Sequence, residues 1–298
     1  MTKKIPYAKA ICYSGYRENQ SPSGVHPTDS QIIEDLNILV KDNYSYIRMY
    51  DPNDYAESVC RIIRENALPL KLMLGPGLIN EVNNTGCEWN KTIYTDEELK
   101  IRREHNENQF KSLVQLANKY KDVIFAVSVG NENTPDWGEN SVPQQRLCHY
   151  ADLLHKETDA LVTFNEGALE WPKLTELAKH LDVISIHSYP LWYGLTLEEA
   201  IDANKKDYEN VKACYPNKEI LFSEAGWTTS SIPGNRMIVS ETNVENMKKY
   251  YESFYQWIEK EEIVSFMFEA FDEPWKGGSN PAEAEKHWGI YNVDRSAK

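Results

Sequence analysis

The chain has 298 residues, enough for one closed α/β barrel or two average domains, and its 41% hydrophobic and 26% charged residues describe an ordinary globular protein. A formal net charge of -14 argues against nucleic acid or an acidic polymer as partner, since both would be repelled, and leaves a neutral ligand as the better fit. No apolar run approaches the roughly 20 residues that span a bilayer, and the five cysteines show neither zinc-site spacing nor a dense disulfide framework, so no metal or cofactor is expected.

From the N-terminus, short β-branched and apolar runs alternate with longer helical patterns. Residues 9–13 read as a strand and 29–40 as a helix, and the unit repeats as 45–49 with 54–65 and as 70–74 with 96–120. It continues as 124–129 with 143–160, 161–164 with 174–180, 183–187 with 197–213, and 220–223 with 243–259, before an eighth strand at 264–268. Thr28, Thr95 and Thr196 stand where helix caps belong, Thr196 with Glu199 three residues on as in a capping box. Eight strands alternating with helices, with no low-complexity linker, predict a single (β/α)8 TIM barrel spanning residues 1–298. The loops at 226–242 and 271–288 are long and rich in Gly, Pro, Ser and Trp, as site-building loops are in this fold.

In such a barrel the C-terminal strand ends converge on one mouth. Here they carry Tyr13, Tyr50 with Asp51, Gly75, Asn131 with Glu132, Asn165 with Glu166, His187 with Tyr189, Glu224 with Trp227, and Glu269 with Asp272 and Glu273. A carboxylate at a strand end is often a helix cap or a solvated charge, but Glu132 after Gly-Asn and Glu224 before Ala-Gly-Trp form a pair suited to attack on a glycosidic bond. Tyr16, Trp89, Trp137, Trp192, Tyr193, Trp227 and Trp275 fall in the predicted loops, either as sugar-stacking platforms or as buried loop anchors. Trp227 and Trp275 stand nearest the glutamates. His187, at a strand end, reads as a supporting donor.

The strings Val129-Gly130-Asn131-Glu132 and Glu224-Ala225-Gly226-Trp227 resemble those of glycoside hydrolase family 17, the β-1,3-glucanases and their relatives. Supporting matches are Arg48-Met49-Tyr50, Ile186-His187-Ser188-Tyr189-Pro190, and Phe271-Asp272-Glu273-Pro274-Trp275-Lys276 followed by Glu285 and Trp288-Gly289-Ile290-Tyr291. They occur in the expected order through the whole chain. The resemblance implies a retaining double displacement, with Glu132 as general acid/base and Glu224 as nucleophile. It further implies that Asn131 bonds the substrate's 2-hydroxyl, that Tyr189 orients Glu224, and that Glu273, Lys276 and Glu285 form a polar cluster, with Lys276 favouring the ionised Glu224. Ala225 and Thr228 stand where many family members have Thr and Pro, so the loop after the seventh strand differs from theirs.

The expectation is therefore a monomeric endo-β-1,3-glucan hydrolase acting on a laminarin-type neutral β-glucan, with Tyr50, Asn131, Tyr189, Trp227, Glu273, Trp275, Lys276 and Glu285 around the substrate. A β-1,3-glucan transglycosylase of the same family and a non-catalytic glucan-binding barrel are the alternatives. Because such a polymer is met outside the cytoplasm, an extracellular, periplasmic or cell-surface location is expected, with a leader absent from this chain.

Overall fold

The apolar runs pair as eight parallel strands in a computed structural model of the chain, which describes residues 4–298. In order, the elements are β1 (Lys9–Cys12), α1 (Asp29–Lys41), β2 (Tyr44–Met49), α2 (Asp54–Glu65), β3 (Lys71–Leu74), α3 (Asp96–Lys119), β4 (Ile124–Asn131) and α4 (Gln144–Glu157). They continue with β5 (Leu161–Gly167), β6 (Val183–Ser188), α5 (Leu197–Cys214), β7 (Glu219–Ala225), α6 (Val244–Glu261) and β8 (Ser265–Met267). Each strand pairs with the next, and Ala10 and Ile11 of β1 meet Phe266 and Met267 of β8 to close the barrel. The predicted (β/α)8 barrel is thus the observed architecture.

The strands are buried on both faces, which is why they read as near-continuous apolar runs. The helices cover them with one stripe each: in α2, Tyr55, Ala56, Val59, Cys60, Ile62 and Ile63 face inward at helical spacing. Thr28 and Thr95 close capping boxes with Gln31 and Glu98.

One predicted element differs. Residues 174–180 do not form an α-helix; the connection from β5 to β6 holds two 3-10 turns, Trp171–Lys173 and Leu177–His180. Pro172 favours a short first turn, and the buried Trp171 plugs the gap with its indole donating to Ser185 O at 3.0 Å. Among the described residues, no helix is long and apolar enough to cross a membrane.

The register breaks between Ser128 and Asn131 in β4, between Ile186 and His187 in β6, and between Phe222 and Ala225 in β7. Bulges re-aim side chains, and these three lie at the mouth, at the strand ends that carry Glu132, His187 and Glu224.

Candidate active site

A cleft of about 320 Å³ opens at the C-terminal mouth of the barrel, and Tyr50, Asn131, Glu132, Glu224, Glu273, Trp275, Lys276 and Glu285 all line it. Glu224 is its most tightly held group. The carboxylate is buried, and its Oε1 accepts from Arg48 Nη1 at 2.5 Å and from Tyr50 at 3.0 Å, while Oε2 accepts from Tyr189 at 2.5 Å. His187 Nδ1 lies 3.6 Å from the same Oε2. Burial pushes this carboxyl up, but the His187 ring, the Arg48 guanidinium and the Tyr189 and Arg48 hydrogen bonds outweigh it and hold Glu224 down at about 2.

Arg48 is the organising cation. Buried on β2, it reaches across the barrel to Glu224 and to Ser223 O at 3.0 Å, its second Nη donates to Asn131 Oδ1, and its guanidinium lies 4.5 Å from the centroid of the Tyr50 ring. One planar fork therefore fixes both the β7 glutamate and the β4 asparagine.

Glu132 is presented differently. It follows the last residue of β4 with φ of 49°, a left-handed conformation that is uncommon and strained for a residue with a Cβ. Its N–H donates to Asn165 O at 2.9 Å. On either side the turn is pinned: Asn131 N–H donates to Asn133 Oδ1 at 2.8 Å, and Thr134 donates through N–H and Oγ1 to Glu166 Oε2 at 3.2 and 2.7 Å. Gly130 is required because a Cβ there would collide with Asn133 Oδ1. The side chain of Glu132 is 31% exposed to the cleft, and its Oε1 lies 2.8 Å from His187 Nδ1. That bond suits either protonation state, since the ring donates to the ionised carboxylate and accepts from the protonated one.

Behind this pair lie further carboxyls. Glu166 is fully buried on β5, and burial, followed by the charge of Glu132, pushes its carboxyl up to about 8 against the bonds from Thr134 and Gly167. Burial likewise raises Glu269, with the neighbouring Glu273 adding to it and Lys276 opposing.

The site corrects two expectations. Trp227 is fully buried: its indole donates to Glu241 O at 2.9 Å and its ring lies 5.2 Å from Tyr250, so it anchors the β7 loop and offers no face to a sugar. Lys276 pairs with Glu269 at 2.9 Å and with Glu273, and the cation on Glu224 is Arg48. Trp275 keeps the exposed position expected of a platform, 37% exposed, with its indole donating to Glu273 Oε1 at 3.1 Å. In the sequence, Glu166 and Glu269 stand only among the strand-end carboxyls and Arg48 only within a supporting motif, none of them with a role. A lone Arg inside the apolar 44–49 run was the available signal, because a charge in a buried strand requires a partner.

Glu132, His187 and Glu224 each bring one ligand-type atom within 4.8 Å of the others, a grouping that could hold a metal ion. The same atoms are engaged with one another and with Arg48, Tyr50 and Tyr189, which already supply positive charge and donors to Glu224. Chemically, this is one carboxylate kept ionised and one partly open carboxyl that can exchange a proton, facing a common cleft.

Comparison with known proteins identifies the family and the fold. The family described as "BtgE/BtgC glycoside hydrolase domain" matches residues 10–289. Among curated relatives, a "Glucan 1,3-beta-glucosidase" of Arthroderma benhamiae is 27% identical over 199 residues, covering 60% of this chain and 61% of that protein. A "Probable glucan endo-1,3-beta-glucosidase btgC" of Aspergillus flavus is 25% identical over 216 residues, 65% of this chain and 31% of that one. The matches thus span about three fifths and one third of these relatives. Among solved structures, an endo-laminarinase from Formosa superposes with a TM-score of 0.80 at 22% identity over 97% of this chain and 84% of its own. A Rhizomucor miehei β-1,3-glucanosyltransferase mutant in complex with laminaritriose gives 0.75 at 22% identity over 98% and 95%. At that identity these structures speak for the fold.

Proposed function

The chain belongs to the BtgE/BtgC glycoside hydrolase domain family, and from that premise we propose that it hydrolyses internal β-1,3 linkages of a neutral, laminarin-type β-glucan with retention of anomeric configuration. The carrying observation is the proximity of the two glutamates: one oxygen of Glu132 and one of Glu224 lie within 4.8 Å. That supports direct attack by a carboxylate, for which the groups stand about 5 to 5.5 Å apart, over the separation of about 6.5 to 9.5 Å that leaves room for a water.

Glu224 attacks the anomeric carbon as the ionised group, while Glu132 donates a proton to the departing glycosidic oxygen and then takes one from the water that cleaves the glycosyl-enzyme. Arg48, Tyr50 and Tyr189 keep Glu224 ionised and aligned. His187 holds Glu132 in both of its protonation states. Asn131, fixed by Arg48, is placed to bond the 2-hydroxyl beside the reacting carbon, where such bonds strengthen in the transition state. The names of the relatives support β-1,3-glucan as substrate, and a polymer of that kind supports action outside the cytoplasm.

Reducing-end release from soluble β-1,3-glucan by the wild type and by Glu224→Ala, with products sized, tests the proposal. Activity that disappears in the variant, with a ladder of products, is expected. Single small sugars would replace endo with exo action, products longer than the substrate would assign a transferase, and an inactive wild type that binds glucan would leave a binding barrel.

A further inference from the structure

The turn that presents Glu132 is gripped from β5 at two points. The N–H of Glu132 donates to Asn165 O at 2.9 Å. Two residues on, Thr134 gives both its N–H and its Oγ1–H to Glu166 Oε2, at 3.2 and 2.7 Å. Asn165 and Glu166 are neighbours on β5, and Asn165 pairs with Asn131 of β4, so one sheet edge holds both ends of the 132–134 turn. The φ of 49° at Glu132 requires such a hold, because a residue with a Cβ keeps that conformation only where its surroundings over-determine it.

Several other buried carboxyls have a cation beside them. Asp35 meets Arg295 at 2.7 Å, Glu224 meets Arg48 at 2.5 Å, and Glu269 meets Lys276 at 2.9 Å. Glu81, at the base of the β3–α3 loop, accepts from Arg146, Tyr150 and Asn106. Glu166 is fully buried and is held instead by uncharged donors, the two of Thr134 and the N–H of Gly167 at 2.8 Å from Oε1. Enclosing a carboxyl without a cation costs stability, and what this one serves is the neighbouring turn. Burial and the charge of Glu132 keep it protonated up to about 8, so it grips the turn without setting a second negative charge beside Glu132. The Thr134 hydroxyl fits that neutral form, since it can accept from the acid O–H as well as donate to the carboxylate.

We propose that Glu166 is a positioning residue for the proton-transfer step: through Thr134 it fixes the turn that aims the Glu132 carboxyl at the departing glycosidic oxygen. The inference rests on the function proposed above and adds to it the residue that aims its proton donor. A donor misplaced by about 1 Å loses on the order of 10² in rate. That loss falls on leaving groups that need a proton and spares those that depart as stable anions.

Measuring kcat/KM on soluble β-1,3-glucan and on a dinitrophenyl β-laminaribioside, whose phenolate departs without a proton, tests it. Glu132→Ala is the reference and should lose cleavage of glucan while keeping attack on the aryl substrate. Glu166→Ala is expected to lower kcat/KM on glucan by about 10² and Thr134→Val by about tenfold, each with a loss of less than about threefold on the aryl substrate. Glu166→Gln, which keeps an uncharged acceptor for Thr134, and Thr134→Ser, which keeps the hydroxyl, should stay within about fivefold of the wild type on both. A variant that merely folds less well loses both substrates alike. Equal losses on the two substrates in Glu166→Ala and Thr134→Val, beside a Glu132→Ala chain that shows the split, would overturn the positioning role. If Glu166→Ala does not fold, Thr134→Val decides the question from the half-buried side of the same contact. A Glu132→Ala chain without the split, or a wild type inactive on both substrates, would instead overturn the function proposed above and the inference with it.

Discussion

At the scale of residues, the division of labour between two glutamates follows from their surroundings. Glu224 is buried, yet it is held ionised because the His187 ring lies beside it and Arg48 reaches it from the opposite side of the barrel. Replacing Arg48 with Lys leaves one ammonium where a fork served both Glu224 and Asn131. The expected result is a fall in kcat of about 10², with the acid limb of kcat/KM displaced to higher pH, because the opposing effect of burial on Glu224 is then less fully countered. Glu166 gives a second prediction. The unfolded chain releases this proton near the ordinary carboxyl value, whereas the folded protein retains it up to about 8. Between those values the native state binds more protons, so stability falls as pH rises through the window, by up to about 1.4 kcal/mol per pH unit from this group. Urea midpoints at pH 5 and pH 8 should therefore differ less in Glu166→Gln than in the wild type. Both glutamates of the central pair were legible in the sequence because a charge ended an apolar run. Arg48 was legible only as part of a motif, since its partners lie 176 and 83 residues away. Trp227 misled for the opposite reason: adjacency to Glu224 along the chain placed it near the site, but its side chain packs on α6.

At the scale of elements, the barrel's function depends on how strands end. β4 and β7 extend past the predicted 124–129 and 220–223 to Asn131 and Ala225, so residues that read as loop are still fixed by the sheet. The apolar pattern fades there because the mouth is polar, which is why the sequence showed the strands but not their ends. The 174–180 segment failed as a helix because the connection is short and Trp171 fills it. The β3–α3 loop depends on the Glu81 network. Arg146→Met leaves the Glu81 carboxylate buried with its cation removed, and should destabilise the fold by about 3 kcal/mol, read as a lowered urea midpoint. Thr95→Ala removes a cap on exposed α3 and should lower stability by about 1 kcal/mol with kcat unchanged, which separates helix support from chemistry.

At the scale of the whole molecule, eight parallel strands bring residues from β2, β4, β6 and β7 to one mouth on a chain of formal charge -14. An uncharged polysaccharide feels little of that field. KM for neutral β-glucan is expected to change less than about twofold as the Debye length shrinks from about 30 Å at 0.01 M salt to about 10 Å at 0.1 M; a steep salt dependence would point to a charged substrate instead. The central claim is that Glu132 and Glu224 act by double displacement on a β-1,3 bond. The most direct measurement is proton NMR of the anomer first released from β-1,3-glucan, before mutarotation. The β anomer is predicted to appear first, and an α anomer appearing first would contradict nucleophilic attack by Glu224.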